Sequence, residues 1–471
     1  MMIKTRVDFN KKIREWDGFG VNYVETCQTP DYCLNPQDYG GFSALSETRR
    51  KEIIELIFGD DGLKPGIIKM FFDPFHQKEN NQNKPQIDSI DMNNYDHKWT
   101  SRWVRYFASE GFKRTVLRGD NLSIITTLYG PPGWMTKQKF VRGRDFDEKY
   151  KLELAKYYVS WAKYLVEEEK LPLRYISLHN EGEDFERWPQ DGRSPNFEEG
   201  HDYNMFWPPE LVVEMVKLLR KVLDANNLKN IGVSCGETTN WYRFVEWGYA
   251  DAIADDEDAV SSLSLITSHG FISNYKRWVG DCRSTGVDLL RGKKPDLHAW
   301  TTSISWGKMD VNFLNDFRTN IYAAKVNALI PWACIQWHEK WSKGDPNPGT
   351  AFEISSDGNY LVKPGYYYYK QLCRAGQPGM AVCRVTSNDS ELVVLAFSNN
   401  NTKNADAFIV LNLSDVDKEI EILINGSNCK KFKAYRTSPK ESYVDIGAFN
   451  IESNKIKYIS PSTSATTFYA L

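Results

Sequence analysis

Residues 175–182 read Tyr175-Ile-Ser-Leu-His-Asn-Glu-Gly182, and the prediction of the fold starts from this stretch. A short β-rich run ends here in an amide and a carboxyl side chain, Asn180 and Glu181. Polar residues directly after a buried strand are typical of the carboxyl edge of a parallel sheet, where the sites of α/β proteins open. The stretch therefore predicts a strand that carries a functional carboxyl group at its end.

Runs of the same kind recur along the first three quarters of the chain. The eight runs are Asp17–Tyr23, Gly66–Phe72, Leu122–Leu128, Tyr175–His179, Asn230–Cys235, Leu265–His269, Leu297–Thr302 and Ala328–Gln336. Helical patterns lie between them, and the clearest are Lys149–Lys170 and Pro209–Asn226, in the second of which apolar residues recur near a 3.6-residue period. Eight strands that alternate with helices predict the α/β class and a (β/α)8 TIM barrel.

The pattern changes from about Gly379. Helical periodicity disappears, and short strands follow one another between turns rich in Asn, Ser, Asp and Gly. These strands are Val382–Thr386, Glu391–Phe397, Asp406–Leu413, Glu419–Ile424, Lys430–Arg436 and Lys455–Ile459. They predict an antiparallel β-sandwich domain, and since no Pro- or Gly-rich linker precedes it, we expect it to pack firmly on the barrel.

Composition excludes several functional classes. The 471 residues contain 59 Lys and Arg against 62 Asp and Glu, for a net charge of −3. Because positive and negative charges balance, the sequence predicts no basic surface for nucleic acid. The longest apolar runs have only the length of strands, too short to cross a membrane as a helix. We therefore expect neither nucleic acid nor a membrane as a partner. No secretory signal is visible, which favours a cytoplasmic location, although a mature secreted chain would look the same. The sequence leaves the oligomeric state open.

Metal and disulfide chemistry are also disfavoured. The eight cysteines are scattered, so we expect buried thiols. The seven histidines form no pair at ligand spacing, which argues against a metal-dependent hydrolase, and we expect no cofactor.

The ends of the predicted strands carry a recognisable series of motifs. In order they are Asp17-Gly-Phe-Gly20, Tyr129-Gly-Pro-Pro-Gly-Trp-Met135, Asn180-Glu181, Gly236-Glu237, His269-Gly-Phe271 and Trp300-Thr-Thr-Ser-Ile-Ser305, followed by the closing run Gly365–Gly379. This series resembles glycoside hydrolase family 30, the clan A retaining β-glycosidases that include glucosylceramidases, β-xylosidases and endo-glucanases. The resemblance spans nearly the whole chain and implies a barrel over 17–370 and a sandwich formed by 1–16 together with 371–471.

The resemblance implies double displacement, with Glu181 as acid/base. A carboxyl group partly shielded from water can hold the proton that the leaving oxygen requires. The nucleophile is expected at the end of strand seven, where the family pattern Trp-any-Thr-Glu-any-Ser meets Trp300-Thr-Thr-Ser303-Ile-Ser305, so Ser303 stands in place of the glutamate. A serine hydroxyl without a neighbouring base is a poor nucleophile, and the sequence shows no lysine or imidazole beside it.

Three explanations for Ser303 are open. The one we favour is an engineered Glu→Ser change, which would inactivate the enzyme or convert it into a glycosynthase. The second is a natural, inactive homologue that binds carbohydrate. In the third, the register of strand seven is misplaced, or another carboxylate, such as Glu237, Glu183 or Glu339, supplies the nucleophile.

The remaining candidates are predicted to bind the sugar. Aromatic faces stack on pyranose rings, and carboxylates and amides accept or donate to hydroxyl groups. The candidates are Asn180, Trp134, Tyr129, Asp73, Lys69, Glu237, His269 and Trp337.

Some positions depart from the family. Lys69 stands where it usually has Arg, Tyr129 where it often has Trp, and Phe271 where a Tyr is normal, a role that Tyr275 could take over. The insert Asp184–Trp207 is expected to shape the aglycone side. We therefore predict a retaining β-glycosidase that acts on a β-linked glycoside or a short oligosaccharide, with exo action preferred and the sugar itself open.

Overall fold

The computed structural model describes residues 3–27, 29, 33, 36–77, 86–193, 202–271, 283–341 and 349–471. A long first strand, β1 (Ile3–Glu15), precedes a closed barrel of eight parallel strands. The barrel strands are β2 (Gly18–Asn22), β3 (Ile67–Phe72), β4 (Ser123–Leu128), β5 (Leu173–Ser177), β6 (Gly232–Ser234), β7 (Leu263–Ser268), β8 (His298–Ser305) and β9 (Ala328–Trp332). Each overlaps one of the eight predicted runs, so the predicted TIM barrel is confirmed.

The barrel strands form because their side chains are buried on both faces. In β3 all six residues are buried, as is typical of a parallel strand covered by helices outside and by side chains inside. The interior is filled by one apolar cluster, whose members are Ile67, Ile125, Tyr175, Leu265, Trp300, Ala328 and Ile330. Trp300 is therefore part of the packed barrel interior, where its indole nitrogen donates to Asp17 Oδ2 at 2.7 Å.

Helices connect the strands and cover the outside. They are α1 (Glu47–Phe58), α2 (Arg102–Leu117), α3 (Lys151–Lys163), α4 (Pro209–Ala225), α5 (Trp241–Glu246), α6 (Tyr249–Ala254), α7 (Glu257–Ser262), α8 (Thr285–Lys293), α9 (Val311–Tyr322) and α10 (Pro364–Ala375). Both helical patterns singled out in the sequence are confirmed as α3 and α4. Proline at the first position of α4 costs no hydrogen bond and presets the helical φ angle.

The C-terminal part is a second β domain. A small sheet of β10 (Ile335–Gln336), β11 (Phe352–Ile354) and β12 (Tyr360–Val362) follows the barrel. The large sheet contains β13 (Ala381–Ser387), β14 (Leu392–Ser398), β15 (Ala407–Asn412), β16 (Lys418–Asn425), β17 (Lys431–Ser438), β18 (Glu441–Asn450), β19 (Lys455–Ser460) and β20 (Ser464–Ala470). Its strand order is β18-β17-β20-β15-β14-β13-β1-β16-β19.

The large sheet folds over its own core. Its two outermost strands, β18 and β19, approach each other through Phe449 and Tyr458, whose ring centroids are 5.6 Å apart. Strand β1 lies inside this sheet, antiparallel to β13 and parallel to β16. The predicted antiparallel sandwich is confirmed. Among the described strands of this sheet, the pairing of β1 with β16 is the one parallel pairing.

The barrel and the β domain share an apolar boundary. Trp16 is fully buried and contacts Phe19 of β2 and Phe397 of β14, at centroid distances of 4.8 and 5.4 Å. Helix α10 packs on both parts, and the predicted boundary at residue 370 falls inside it.

Two further expectations from the sequence concern membrane-spanning helices and cysteines. Within the described ranges, every helix is too short or too polar to cross a lipid bilayer. The cysteines of these ranges are free thiols, and most are buried.

Candidate active site

The predicted acid/base residue follows the end of β5. Glu181 has a positive φ of 41°, and its backbone N–H donates to the carbonyl of Glu237 at 2.7 Å. The segments that follow β5 and β6 thus stay paired beyond the ends of these strands, through a bridge between Asn180 and Glu237. A left-handed conformation outside glycine is typical of sites where the surrounding structure fixes a side chain. The Glu181 side chain is almost buried, with 5% of the residue surface exposed.

Glu237, which pairs with this segment, is completely buried. Its carboxylate accepts hydrogen bonds from the ammonium group of Lys69, from Thr127 Oγ1 at 2.8 Å and, on its Oε2 atom, from His269 Nε2 at 3.0 Å. Burial alone would raise the pKa of Glu237, but Lys69 and His269 outweigh it and lower this pKa to about 2. The carboxylate is therefore held ionised at the base of the site.

Gly236 makes this arrangement possible. Its φ is +94°, and a Cβ atom at this position would lie 2.2 Å from the ring of His179. Only glycine therefore lets the chain pass the imidazole and turn Glu237 into the barrel.

Ser303 sits at an irregularity of β8. The register between β8 and β9 shifts between Thr302 and Ile304, and Ser303 has a φ of 76°. A bulge of this kind redirects a single side chain. The hydroxyl oxygen of Ser303 accepts a hydrogen bond from Lys69 Nζ at 2.7 Å.

This contact corrects one sequence-based expectation. We expected Ser303 to have no lysine or imidazole beside it, and the structure places Lys69 there, 234 positions away in the sequence. The same ammonium group is paired with Glu237. Burial lowers the pKa of Lys69, and the neighbouring carboxylates act in the opposite direction. Lys69 thus acts as a donor toward Ser303.

His269 connects the two carboxyl groups. Its Nδ1 lies 2.9 Å from Glu181 Oε1, and its Nε2 lies 3.0 Å from Glu237 Oε2. Burial would lower the pKa of His269, but the hydrogen bonds to these two carboxyl groups raise it above its usual value. One chain of polar contacts therefore runs from Glu181 through His269, Glu237 and Lys69 to Ser303.

Sequence reasoning missed two members of this network. Arg187 donates to Glu181 Oε2 at 3.0 Å, and Thr127 in β4 donates to Glu237. Arg187 lies in the insert 184–207, of which residues 194–201 are outside the described ranges, and no spacing rule relates it to Glu181. Thr127 reads as an ordinary residue of a buried strand.

The other carboxylates considered as nucleophiles lie elsewhere. Glu183 is buried and accepts from Thr239, through its N–H at 2.8 Å and its hydroxyl at 2.6 Å, and from Arg243 at 3.2 Å. Glu339 is exposed on a short helix after Trp337. These surroundings give Glu183 a structural task and leave Glu339 in solvent.

Two polar candidates for sugar binding are already engaged. Asn180 donates to Asp202 Oδ2 at 3.2 Å. Asp73 accepts from Thr26 Oγ1 and from the backbone N–H of Phe75, both at 2.8 Å. Both side chains are buried, so their predicted contacts with hydroxyl groups stay predictions.

The aromatic candidates differ in exposure. Tyr129 is fully buried and stacks on Phe71 at a centroid distance of 4.4 Å. Trp134 and Trp337 are partly exposed, and Trp134 packs edge-on against Tyr150 at 5.1 Å. The two tryptophans therefore keep surface that a sugar ring can cover, and Tyr129 is connected to the site through Phe71, whose ring centroid lies 4.3 Å from Lys69 Nζ.

Phe271 and Tyr275 are two of the residues named in the predicted departures from the family pattern. The Phe271 ring packs edge-on against His269 at 5.6 Å and offers no hydrogen bond there. Tyr275 lies outside the described residues. In the part of the chain that the structure describes, no three His, Cys, Asp or Glu side chains are grouped as metal ligands.

Comparison with known proteins gives a clear result at the level of the fold. No protein-family model and no curated protein matches the sequence. Among solved structures, the chain is similar to a glycoside hydrolase family 30 subfamily 8 xylanase from Clostridium acetobutylicum, with a TM-score of 0.71, 16% identity and 99% of both chains covered.

Two further structures agree. One is the catalytic domain of a family 30 xylanase from Talaromyces cellulolyticus, with a TM-score of 0.70, 15% identity and 99% and 100% of the two chains covered. The other is an endo-β1,6-glucanase, with a TM-score of 0.70, 15% identity and 99% and 94% covered. The chain thus has the barrel and β-domain fold of the family 30 structures over its whole length, as the motif series predicted.

Proposed function

We propose that the chain is a glycosidase that cleaves a β-linked glycoside, with Glu181 as the acid that protonates the leaving oxygen. The observation that carries this proposal is the position of Glu181: a nearly buried carboxyl group at the C-terminal end of a barrel strand, held by His269 and Arg187. Catalytic groups of TIM barrels come from these strand ends. The fold shared with xylanases and a glucanase supports the same reaction class.

The proposal includes retention of configuration by double displacement, with position 303 as the place of the nucleophile. A carboxylate there would lie beside the ammonium group of Lys69, which now donates to Ser303. In this interpretation Ser303 replaces a catalytic glutamate, and the chain is an inactivated or glycosynthase-type form. The bulge in β8 supports it, because the backbone is shaped to direct one side chain at this position.

The substrate that we propose is a β-linked glycoside or a short oligosaccharide, cleaved from its end. The partly exposed rings of Trp134 and Trp337 are the proposed contacts for its sugar faces. Glu237, which is fully buried, would act by positioning Lys69 and His269, and Tyr129, which is also fully buried, by positioning Phe71.

The decisive experiment compares the chain with its Ser303→Glu variant on aryl β-glycosides of the gluco, galacto, xylo, fuco and glucurono series. We expect the variant to hydrolyse at least one of them, with a first product of retained β configuration by NMR. Adding Glu181→Gln to that variant should slow the release of alkyl aglycones by roughly 10²- to 10⁴-fold, the usual contribution of general acid catalysis. For nitrophenyl glycosides kcat/KM should change much less, since nitrophenol leaves without a proton, whereas kcat should fall because Glu181 also activates water in the second step.

Ser305→Glu is the matched control, because it adds a carboxylate two residues further along β8. Activity in this control and not in Ser303→Glu would show that position 303 is not the place of the nucleophile. If a bound glycoside is cleaved by none of the variants, the alternative of a carbohydrate-binding homologue without catalysis is the better explanation.

A further inference from the structure

The environment of Ser303 is set by one neighbouring cation. The hydroxyl group accepts from Lys69 Nζ, and among the described residues it meets no hydrogen-bond acceptor of its own. The residue is 2% exposed and Lys69 is completely buried. A serine is shorter than a glutamate and uncharged, so a cation and a hydroxyl donor come together where the proposed function expects a longer, charged side chain.

The Lys69 ammonium group can serve an anion at this point. It has three N–H donors, of which Glu237 and Ser303 take two among the described residues, so one can donate to an oxyanion beside Ser303. Glu237 is the carboxylate that contacts Lys69, and His269 lies between Glu237 and Glu181. Glu181 is neutral when it is protonated to act as the acid, which lowers the negative charge near the oxyanion.

We propose that the chain with Ser303 is a phosphorolytic enzyme, in which inorganic phosphate binds beside Lys69 and Ser303 and attacks the anomeric carbon directly. This inference rests on the part of the proposed function that makes Glu181 the proton donor, and it is the alternative to the interpretation of the Ser303 chain as an inactivated form. Lysine ammonium groups and serine hydroxyls are common phosphate ligands. Phosphate supplies the nucleophilic oxygen that a serine cannot supply at neutral pH.

The reaction balances without a second carboxylate. A phosphate oxygen forms the bond to C1 while the bond from C1 to the leaving oxygen breaks, and Glu181 transfers its proton to that oxygen. The products are an alcohol and a sugar 1-phosphate of inverted, α configuration. Glu181 recovers its proton from the phosphate through solvent, and no atom changes its oxidation state.

The test measures the chain as it exists, with Ser303, on the same aryl β-glycosides with and without inorganic phosphate. We expect nitrophenol release to rise by roughly 10²-fold with phosphate, the scale of one positioned catalytic group. ³¹P NMR should show an α sugar 1-phosphate in an amount equal to the nitrophenol. In the reverse direction, the α sugar 1-phosphate and an acceptor alcohol should release phosphate.

Variants separate this inference from the proposed function. Ser303→Ala should raise the KM for phosphate by about tenfold, the effect of roughly 1.4 kcal/mol from one lost hydrogen bond to a charged group. Ser305→Ala, the matched control, should leave it unchanged. Ser303→Glu should abolish the phosphate dependence and hydrolyse with retention.

Each outcome decides one of the two proposals. If Ser303→Glu hydrolyses with retention while the parent chain shows no phosphate dependence on any glycoside that binds, the phosphorolysis inference is wrong and the glycosidase proposal stands. Phosphate-independent hydrolysis by the parent chain also overturns the inference. If neither chain cleaves any glycoside that binds, both proposals fail.

Discussion

Replacing Glu237 by glutamine tests whether this carboxylate is the counterion that keeps Lys69 charged inside the barrel. The change preserves shape and removes one negative charge from a position with no exposed surface. The pKa of Glu237 is lowered from its ordinary value of 4.5 to about 2. At about 1.4 kcal/mol per pKa unit, the ionised carboxylate contributes about 3 kcal/mol to the free energy of unfolding at neutral pH.

The sign of the pH dependence follows from the direction of the shift. Since the folded state has the lower pKa, the contribution is complete above about pH 5 and is lost as the pH falls toward 2. We expect Glu237→Gln to be less stable than the parent by about 3 kcal/mol at pH 7, by about 2 kcal/mol near pH 3.5, and by less than about 1 kcal/mol near pH 2.5.

Urea unfolding followed by tryptophan fluorescence measures these differences. The double variant Lys69→Met/Glu237→Gln should regain much of the loss, because it removes the stranded cation together with its partner. Thr127→Val keeps both charges and should cost only about 1 kcal/mol, the value of one hydrogen bond. A difference between parent and Glu237→Gln that is the same at every pH would refute the ion-pair reasoning, as would additive effects in the double variant.

Three shorter predictions follow from other contacts. His269→Gln should lose stability mainly at low pH. Because the pKa of His269 is raised in the folded state, its contribution to the free energy of unfolding is complete below about pH 6.5 and is lost as the pH rises through the folded-state value. Urea unfolding at several pH values measures this difference. Gly20→Ala should destabilise the barrel by about 1–3 kcal/mol, measured in the same way, because the new Cβ would lie 2.7 Å from Ile330 Cγ1. Deleting residues 380–471 should yield insoluble protein, since it uncovers the apolar surface around Trp16; a soluble, folded barrel in a sedimentation assay would contradict this.

The barrel could be predicted because its strands carry their signal locally. Runs such as Ile67–Phe72 are apolar throughout and are separated by amphipathic helices, and both features follow from burial on two faces. Two strands of the large sheet were not predicted, nor were β11 and β12 of the small sheet. No residue of β18 is fully buried, and its apolar residues do not alternate strictly with polar ones, whereas β20 is rich in small and hydroxyl residues. The N-terminal strand was expected in this domain only through the family resemblance.

The candidate site could be predicted only in part. Glu181 was found because it follows a predicted strand at the edge of the barrel where active sites open, and Glu237, His269 and Ser303 were found through the family resemblance of the strand-end motifs. Their mutual contacts were not predictable, because the hydrogen bond of Lys69 to Ser303 depends on how the strands are arranged around the closed barrel. Arg187 was missed for a similar reason, since a long insert has no periodicity from which a contact can be inferred.

The position of β1 inside the large sheet has a consequence for synthesis on the ribosome. This segment leaves the ribosome long before its partners, because its antiparallel neighbour β13 begins only at Ala381 and its parallel neighbour β16 only at Lys418. At about 5–20 residues per second, the segment waits roughly 20–80 s for partners. Throughout that time an unpaired strand with alternating apolar residues is available to other chains. The yield of folded protein should therefore depend on what protects the nascent N-terminal segment, and a chaperone that binds extended apolar peptides is suited to that task.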